Sequence, residues 1–244
     1  MTLRQAGYFV SPTRIQPETL ELLHTASDAA VRNAQASSRS EHTNRLGLAQ
    51  DGAAYVRRIE KLWKHDPAFA SLLVFEPIVS IAESAIGTTI MPVNAQLVIK
   101  GAHENNSLDW HFDPDIAEHP RPSEDYVLAI YLDTSTTDNG AVQVVSGSHR
   151  WSLAQRQAWL RNQPQISSHN LPAGAVELNC PRGTIGLHER GILHGSPRNR
   201  TPQQRRTIYL HYRSTEFLRA TKGPDYVDKL AASLAGLPGL VPVH

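Results

Sequence analysis

Residues 187–214 read LHERGILHGSPRNRTPQQRRTIYLHYRS. The last ten, RRTIYLHYRS, are rich in the β-branched and aromatic side chains that favour strands. Successive side chains on a strand point to opposite faces, so Arg205 and Arg206 cannot enter the same pocket. With Arg205 turned inward, Thr207, Tyr209 and His211 also face inward, and Ile208, Leu210 and Tyr212 pack beneath helices on the other side. The stretch carries three histidines, His188, His194 and His211, and His194 opens a loop beginning His-Gly-Ser that leads into this strand.

Working outward, similar β-rich runs separated by Gly, Pro, Asn and Asp occur as IMPVNAQLVIKG (90–101), DYVLAIYLDTST (125–136), GAVQVVSG (140–147) and GAVELNCPRGTIGLH (174–188). Several short strands in succession predict a sandwich, barrel or jelly roll. Upstream, GYFV (7–10) reads as a short strand. Leu20, Leu23, Ala26 and Ala30 recur at helical spacing, with Ser11 or Thr13 as capping residues and Pro17 in the first turn. ASSRSEHTNRLGLAQDG (36–52) has loop composition. Val56, Ile59, Leu62 and Trp63 predict an amphipathic helix interrupted at Asp66-Pro67, and AFASLLVFEPIVSIAESAIG (68–87) predicts a further helix ending at Gly87. The expectation is one domain over 1–244: a largely helical part over about 1–87, a mainly β, double-stranded β-helix (jelly-roll, cupin-like) core over about 88–215, and a C-terminal helix and apolar tail over about 216–244.

Composition narrows the functional classes. With a net charge of +1, 40% hydrophobic and 19% charged residues, the chain has no general attraction for polyanions, and its arginines lack the aromatic interleaving of a nucleic-acid platform. A single cysteine, Cys180, makes no internal disulfide. No signal-like run opens the chain, and no stretch approaches about 18 uninterrupted apolar residues. The expectations are a cytoplasmic protein, monomeric or homodimeric, with a small-molecule partner, no nucleic acid and no membrane.

The residues that carry chemistry begin in LDWHFDPDIAEHP (108–120), where His111 and Asp113 stand two apart. Two neutral imidazoles and one carboxylate on one face of an octahedral ion leave three positions for co-substrates, an arrangement suited to Fe(II) that binds oxygen. A jelly roll brings distant residues together inside its open end, so the second imidazole is sought downstream among His149, His169, His188, His194 and His211. Asp115 competes with Asp113 for the carboxylate role. A chelating 2-oxo acid would take two of the open positions, and its distal carboxylate calls for a planar, bidentate arginine within reach.

Here the sequence resembles the phytanoyl-CoA dioxygenase (PhyH) family of Fe(II)/2-oxoglutarate oxygenases. WHFD (110–113) matches its His-x-Asp, DNGAVQVVSGSH (138–149) its hairpin ending in Gly-Ser-His, and HGSPRNRTPQQRR (194–206) its distal segment. The segments 6–23 and 56–73 are similar to its opening strand and helices. The resemblance implies His111, Asp113 and His194 as iron ligands, Arg205 as the anchor of the far carboxylate of 2-oxoglutarate, Ser196 as a hydroxyl near that carboxylate, and Gln96 as a further cosubstrate contact. It leaves His188 and His149 structural. It implies Fe(II), 2-oxoglutarate and O2 as cofactor and cosubstrates, with hydroxylation of a small secondary-metabolite-like substrate as the default outcome. Epimerisation, ring closure and desaturation remain open on the same scaffold, while retention of Asp113 disfavours halogenation. His103, Asp115, Tyr126 and Arg213 are expected in the substrate wall. The rival reading is a cupin-like metal enzyme or binding protein that does not use 2-oxoglutarate and does not need Arg205.

Overall fold

The run at 205–214 forms strand β11 (Arg205–Ser214), and its two faces divide as the alternation requires. Ile208, Leu210 and Tyr212 are fully buried in the main hydrophobic core, while Arg205, Tyr209 and His211 line a cavity on the opposite side. The structure, a computed structural model, describes residues 2–36, 44–48, 52, 54–104, 107–113 and 124–240.

Strand β11 pairs antiparallel with β4 (Ile90–Lys100) along its whole length and with β6 (Asp125–Tyr131) on its other edge. Adding β9 (Thr184–Glu189), β1 (Tyr8–Arg14), β3 (Ala54–Glu60) and β2 (Asn44–Leu48) completes a seven-stranded sheet in the order β1-β9-β6-β11-β4-β3-β2. A four-stranded sheet faces it, built from β5 (Leu108–His111), β10 (His194–Ser196), β7 (Gln143–Val145) and β8 (Ala175–Glu177) in the order β5-β10-β7-β8. The two sheets make the jelly-roll core. One end between them is closed by Ala129, Tyr131, Val142, Val144, Leu178, Cys180 and Ile192; the other end stays polar and holds the cavity.

Helices cover the outer faces. Against the large sheet pack α1 (Leu3–Ala6), α2 (Pro17–Ala36), α3 (Pro67–Leu72) and α4 (Glu76–Ile86), which contribute Leu3, Leu23, Phe69, Leu72, Ile78 and Ala82 to the core. Against the small sheet packs α5 (Leu153–Arg161), whose Trp159 and Leu160 meet Trp110, Phe112, Val145 and Leu193. The chain closes with α6 (Thr215–Lys222) and α7 (Pro224–Ala235), and the tail brings Leu240 into the main core. Leu210 sits at the centre of the sheet with no exposed surface. Leu210→Ala is expected to cost about 2–5 kcal/mol, from lost burial plus the cavity left between sheet and helices, read as a lowered urea midpoint at unchanged m-value.

The N-terminal third departs from the sequence expectation. Residues 54–60 form strand β3 and not an amphipathic helix, and only Leu62–Lys64 make a single 3-10 turn. The cause is a β-bulge: Arg45 pairs with Arg58 but Leu46 with Val56, leaving Arg57 as an extra residue. The insertion puts Val56 and Ile59, three apart, on one buried face and so imitates helical spacing. Part of the expected loop over 36–52 is strand β2, while 37–43, 49–51 and 53 lie outside the described residues. The boundary expected at about residue 87 therefore cuts through one sheet. Ser11 and Thr13 belong to β1, where the Ser11 hydroxyl accepts the Thr13 N–H at 3.0 Å, and neither caps α2. Asp66 caps α3 by accepting the Ala68 N–H at 2.8 Å, and Gly87 ends α4 in the left-handed conformation at φ 85°. The segment Pro67–Ile86 is long and apolar enough to cross a bilayer by length and composition alone. Here it is broken between α3 and α4, and Phe69, Leu72, Ile78, Ala82 and Ile86 face the core.

Candidate active site

Segment 108–111 is strand β5, and its alternation aims the first candidate ligand. Trp110 and Phe112 turn outward into the aromatic cluster under α5, which leaves His111 facing inward. His194, expected to open a loop, begins strand β10 and is the direct cross-strand partner of His111. The two imidazole centroids stand 4.2 Å apart. Asp113, two residues past His111, returns to the same side, and one ligand atom from each of His111, Asp113 and His194 lies within 4.8 Å of the others. Gly195, between His194 and Ser196, permits this close approach: a Cβ there would stand 2.9 Å from the Leu108 carbonyl oxygen and 2.5 Å from Ile166.

The surroundings prepare the three groups as donors. His111 Nδ1 lies 2.7 Å from the Asp109 carbonyl oxygen and His194 Nδ1 lies 3.0 Å from that of Ile192. A carbonyl only accepts, so each Nδ1 carries the proton and each Nε2 presents a lone pair. Burial, with His194 beside it, pulls His111 down to about 4, so this ring is neutral at pH 7. Burial works against a charge on Asp113, but its charged surroundings, Arg190 among them, outweigh it and hold the carboxyl below its usual range. Arg190 Nε donates to Asp113 Oδ2 at 3.2 Å and its Nη1 to Asp125 Oδ2 at 3.2 Å, which steers one Asp113 oxygen away from the imidazoles. Two imidazole nitrogens and a carboxylate oxygen are the kind of donor set that a divalent iron takes, and the residues present fit it.

The cavity behind this cluster has a volume of about 130 Å³ among the described residues. Arg205 forms its floor, only 3% exposed. Its guanidinium donates to the carbonyls of Asn139 at 3.3 Å and Gly140 at 3.1 Å and to Thr207 Oγ1 at 2.9 Å, all neutral oxygens. No carboxylate among the described residues stands within ion-pair distance of it, and a buried cation in that setting favours an anionic ligand. Lys100, the cross-strand partner of Arg205, adds a second buried positive charge, its ammonium donating to the carbonyls of Ser196 and Pro197. Burial and the Arg205 charge pull Lys100 down to about 7. Ser196 lines the same cavity and donates its hydroxyl to the Gly140 carbonyl at 2.7 Å. Gly140, at φ +78°, has no room for a side chain: a Cβ would stand 2.3 Å from the Pro197 carbonyl oxygen. Gln96 Nε2 lies 2.8 Å from His211 Nε2 on the cavity wall.

The sequence-derived substrate positions fare differently. His103, at φ 47°, lies on a turn where its N–H donates to the Thr201 carbonyl, and it is exposed and away from the cavity. Tyr126 faces the helices, because its neighbour Val127 occupies the inward position on β6. Arg213 is engaged by Asp125, through Nε at 2.8 Å and Nη2 at 3.0 Å, and does not line the cavity. Asp115 lies outside the described residues. His188 is buried on the cavity wall with its ring 5.5 Å from that of His194, and burial and His194 pull it down to about 3. His149 packs over Gly7 and approaches the Arg4 carbonyl at 3.2 Å. Sequence reasoning missed Lys100, whose only signal was its place at the inward end of a β run, and Arg57, Arg58 and Arg190.

Comparison with known proteins gives the family and the fold. The family model for phytanoyl-CoA dioxygenase (PhyH) matches residues 3–207. The chain is 26% identical over 219 residues to an L-proline trans-4-hydroxylase of Streptomyces griseoviridis, covering 79% of this chain and 81% of the relative. It is 27% identical over 191 residues to a probable alpha-ketoglutarate-dependent hypophosphite dioxygenase of Stutzerimonas stutzeri, covering 70% and 66% respectively. The fold superposes on the crystal structure of EctD from S. alaskensis with bound Fe at a TM-score of 0.68, with 20% identity over 88% of this chain and 75% of that one. A family match over most of the sequence, on a chain with a jelly-roll core, means that the chain belongs to the phytanoyl-CoA dioxygenase (PhyH) family of Fe(II)/2-oxoglutarate-dependent dioxygenases.

Proposed function

We propose that His111, Asp113 and His194 hold Fe(II), that Arg205, Lys100 and Ser196 hold the distal carboxylate of 2-oxoglutarate, and that the single domain hydroxylates a small organic substrate. The observation that carries this reading is the joint placement of a three-ligand cluster and a buried arginine bound only to neutral oxygens in one cavity. The relatives named for L-proline and for hypophosphite act on compact polar molecules, which supports a small substrate. Iron with 2-oxoglutarate and O2 supplies the power to remove a hydrogen atom from an unactivated carbon.

The chain's own residues bind, orient and exclude. The backbone carbonyls of Asp109 and Ile192 fix the tautomers of His111 and His194, so both Nε2 lone pairs stay available. Arg190 keeps Asp113 ionised and turned. The Arg205 fork, set by the Asn139–Gly140 turn, matches the two oxygens of a carboxylate and fixes how far the cosubstrate reaches. Val127, Val142 and Leu108 give the cavity an apolar wall that keeps water from a reactive centre. The direct test is anaerobic addition of Fe(II) and 2-oxoglutarate to metal-free protein. A weak visible charge-transfer band supports the reading, and its absence together with no measurable 2-oxoglutarate binding overturns it in favour of a metal enzyme that does not use 2-oxoglutarate.

Lys100 makes that binding pH-dependent. Its folded-state pKa of about 7 lies below the ordinary lysine value, so the free enzyme gives up this proton as pH rises through 7. A dianionic cosubstrate favours the protonated ammonium, so affinity is greatest below pH 7 and declines above it. The KM for 2-oxoglutarate is expected to climb between pH 7 and 9 in the wild type and to be flatter in Lys100→Met. Parallel profiles for the two proteins would remove Lys100 from the cosubstrate site.

A further inference from the structure

The bulge in β3 has a second effect. Regular alternation sends consecutive side chains to opposite faces, whereas a bulge re-aims one of them. Arg57 and Arg58 both line the cavity that holds His111, Asp113 and His194, while Val56 and Ile59 on either side enter the core. Among the described residues each guanidinium is held at one edge only. Arg57 Nε lies 3.9 Å from Glu104 Oε1, and Arg58 Nη1 lies 3.4 Å from Glu60 Oε1. These are single, long contacts and not the two parallel N–H···O bonds of a closed fork, so most of the donors remain for another acceptor.

The charge of the cavity points the same way. Among its described lining residues Arg57, Arg58, Lys100 and Arg205 are basic and Asp113 alone is acidic. With the proposed occupants, Asp113 and a 2-oxoglutarate dianion offset a divalent metal and Arg205, so Lys100, Arg57 and Arg58 remain on the basic side, with Glu104 and Glu60 each at one edge of a β3 guanidinium. The two β3 arginines, consecutive in the chain, line a wall where their side chains are about one-third exposed, at 34% and 32%. Like charges so placed repel, and an oxyanion between them turns the repulsion into attraction.

We propose that Arg57 and Arg58 are the anchor for an anionic group of the substrate, so that the enzyme acts on a small organic acid whose carboxylate sits against β3. The anchor rests on the oxygenase reading above and adds the substrate class to it. A carboxylate at this wall leaves the rest of a small acid directed toward the His111–His194 pair, which is how a two-point hold selects one carbon for oxidation.

The test loads the full chain anaerobically with Fe(II) and saturating 2-oxoglutarate at constant ionic strength. It then titrates acetate, acetamide and hypophosphite separately while following the charge-transfer band. Acetate is expected to perturb the band saturably and acetamide not at all. In R57Q/R58Q the acetate concentration at half-effect rises at least about ten-fold, R58K is intermediate, and the band itself still forms at the wild-type 2-oxoglutarate concentration. Melting temperatures check the fold, and single R57Q and R58Q variants replace the pair should it not fold. With any acid found to be turned over, the variants raise the KM for that acid and not for 2-oxoglutarate, a split that a structural role would not produce. No saturable acetate effect, an equal effect of acetamide, or an acetate response unchanged in the variants overturns the anchor. A response to hypophosphite alone overturns the carboxylate assignment. Failure of the band to form in the wild type is a separate result, which overturns the oxygenase reading and the anchor with it.

Discussion

Asp113→Ala and His194→Ala are each expected to abolish the Fe(II)/2-oxoglutarate band and to lower succinate formation by more than about a hundred-fold. That bound follows because loss of a group that merely orients a metal ligand already costs about 10–100-fold. The three donors come from two strand ends, β5 and β10, held in register by direct pairing of His111 with His194. Removing one leaves two donors for an ion that needs three from the protein to keep its remaining positions open for cosubstrate and oxygen. Asp113→Ala also strips a negative charge from a cavity whose other charged described residues are basic and removes one carboxylate partner of Arg190, which keeps Asp125. The hydrophobic clusters do not include these residues, so melting temperatures are expected to stay close to the wild type. Equilibrium binding of Fe(II) followed by the band, with succinate measured in parallel, is the check. A variant that keeps both within a few-fold of the wild type removes that residue from the metal centre and brings His188, whose ring stands 5.5 Å from that of His194, forward as a ligand.

The second large effect is expected at Arg205. Two charge-assisted hydrogen bonds to one carboxylate contribute roughly 3–5 kcal/mol together, so Arg205→Ala should raise the KM for 2-oxoglutarate by about two to three orders of magnitude. Arg205→Lys keeps the charge but not the fork and should fall between. Because the guanidinium also holds the Asn139 and Gly140 carbonyls, the alanine variant is expected to melt lower, which the lysine variant separates from the effect on binding. An unchanged KM in both variants would sink the assignment of Arg205 as the anchor of the cosubstrate.

Much of the site was legible because its signals are local. The two-residue spacing of His111 and Asp113 on an extended chain returns both side chains to one face, and β11 divides Arg205, Tyr209 and His211 from Ile208, Leu210 and Tyr212 by simple alternation. The errors came where local pattern is degenerate. Val56 and Ile59 fit a helix as well as a bulged strand, so β3 was missed, and with it the turning of Arg57 and Arg58 toward the cavity. Tyr126 was expected at the substrate wall, but the parity of β6 is set by pairing with β11 and β9 and gives the inward position to Val127. Lys100 went unnoticed because nothing near it in sequence says that it lies opposite Arg205, more than a hundred residues on.

What the sequence by itself determined is several of the core β runs, the two faces of β11 and, through the family resemblance, the candidate group His111, Asp113, His194 and Arg205, since period-two alternation and short motif spacings are encoded within a few residues. What only the tertiary structure decided is which strands lie side by side: His111 against His194, Lys100 against Arg205, and a bulged β3 at the cavity edge. Those neighbours are chosen by burial of the two sheet faces against each other and against the helices, a sum over the whole chain that no single segment contains.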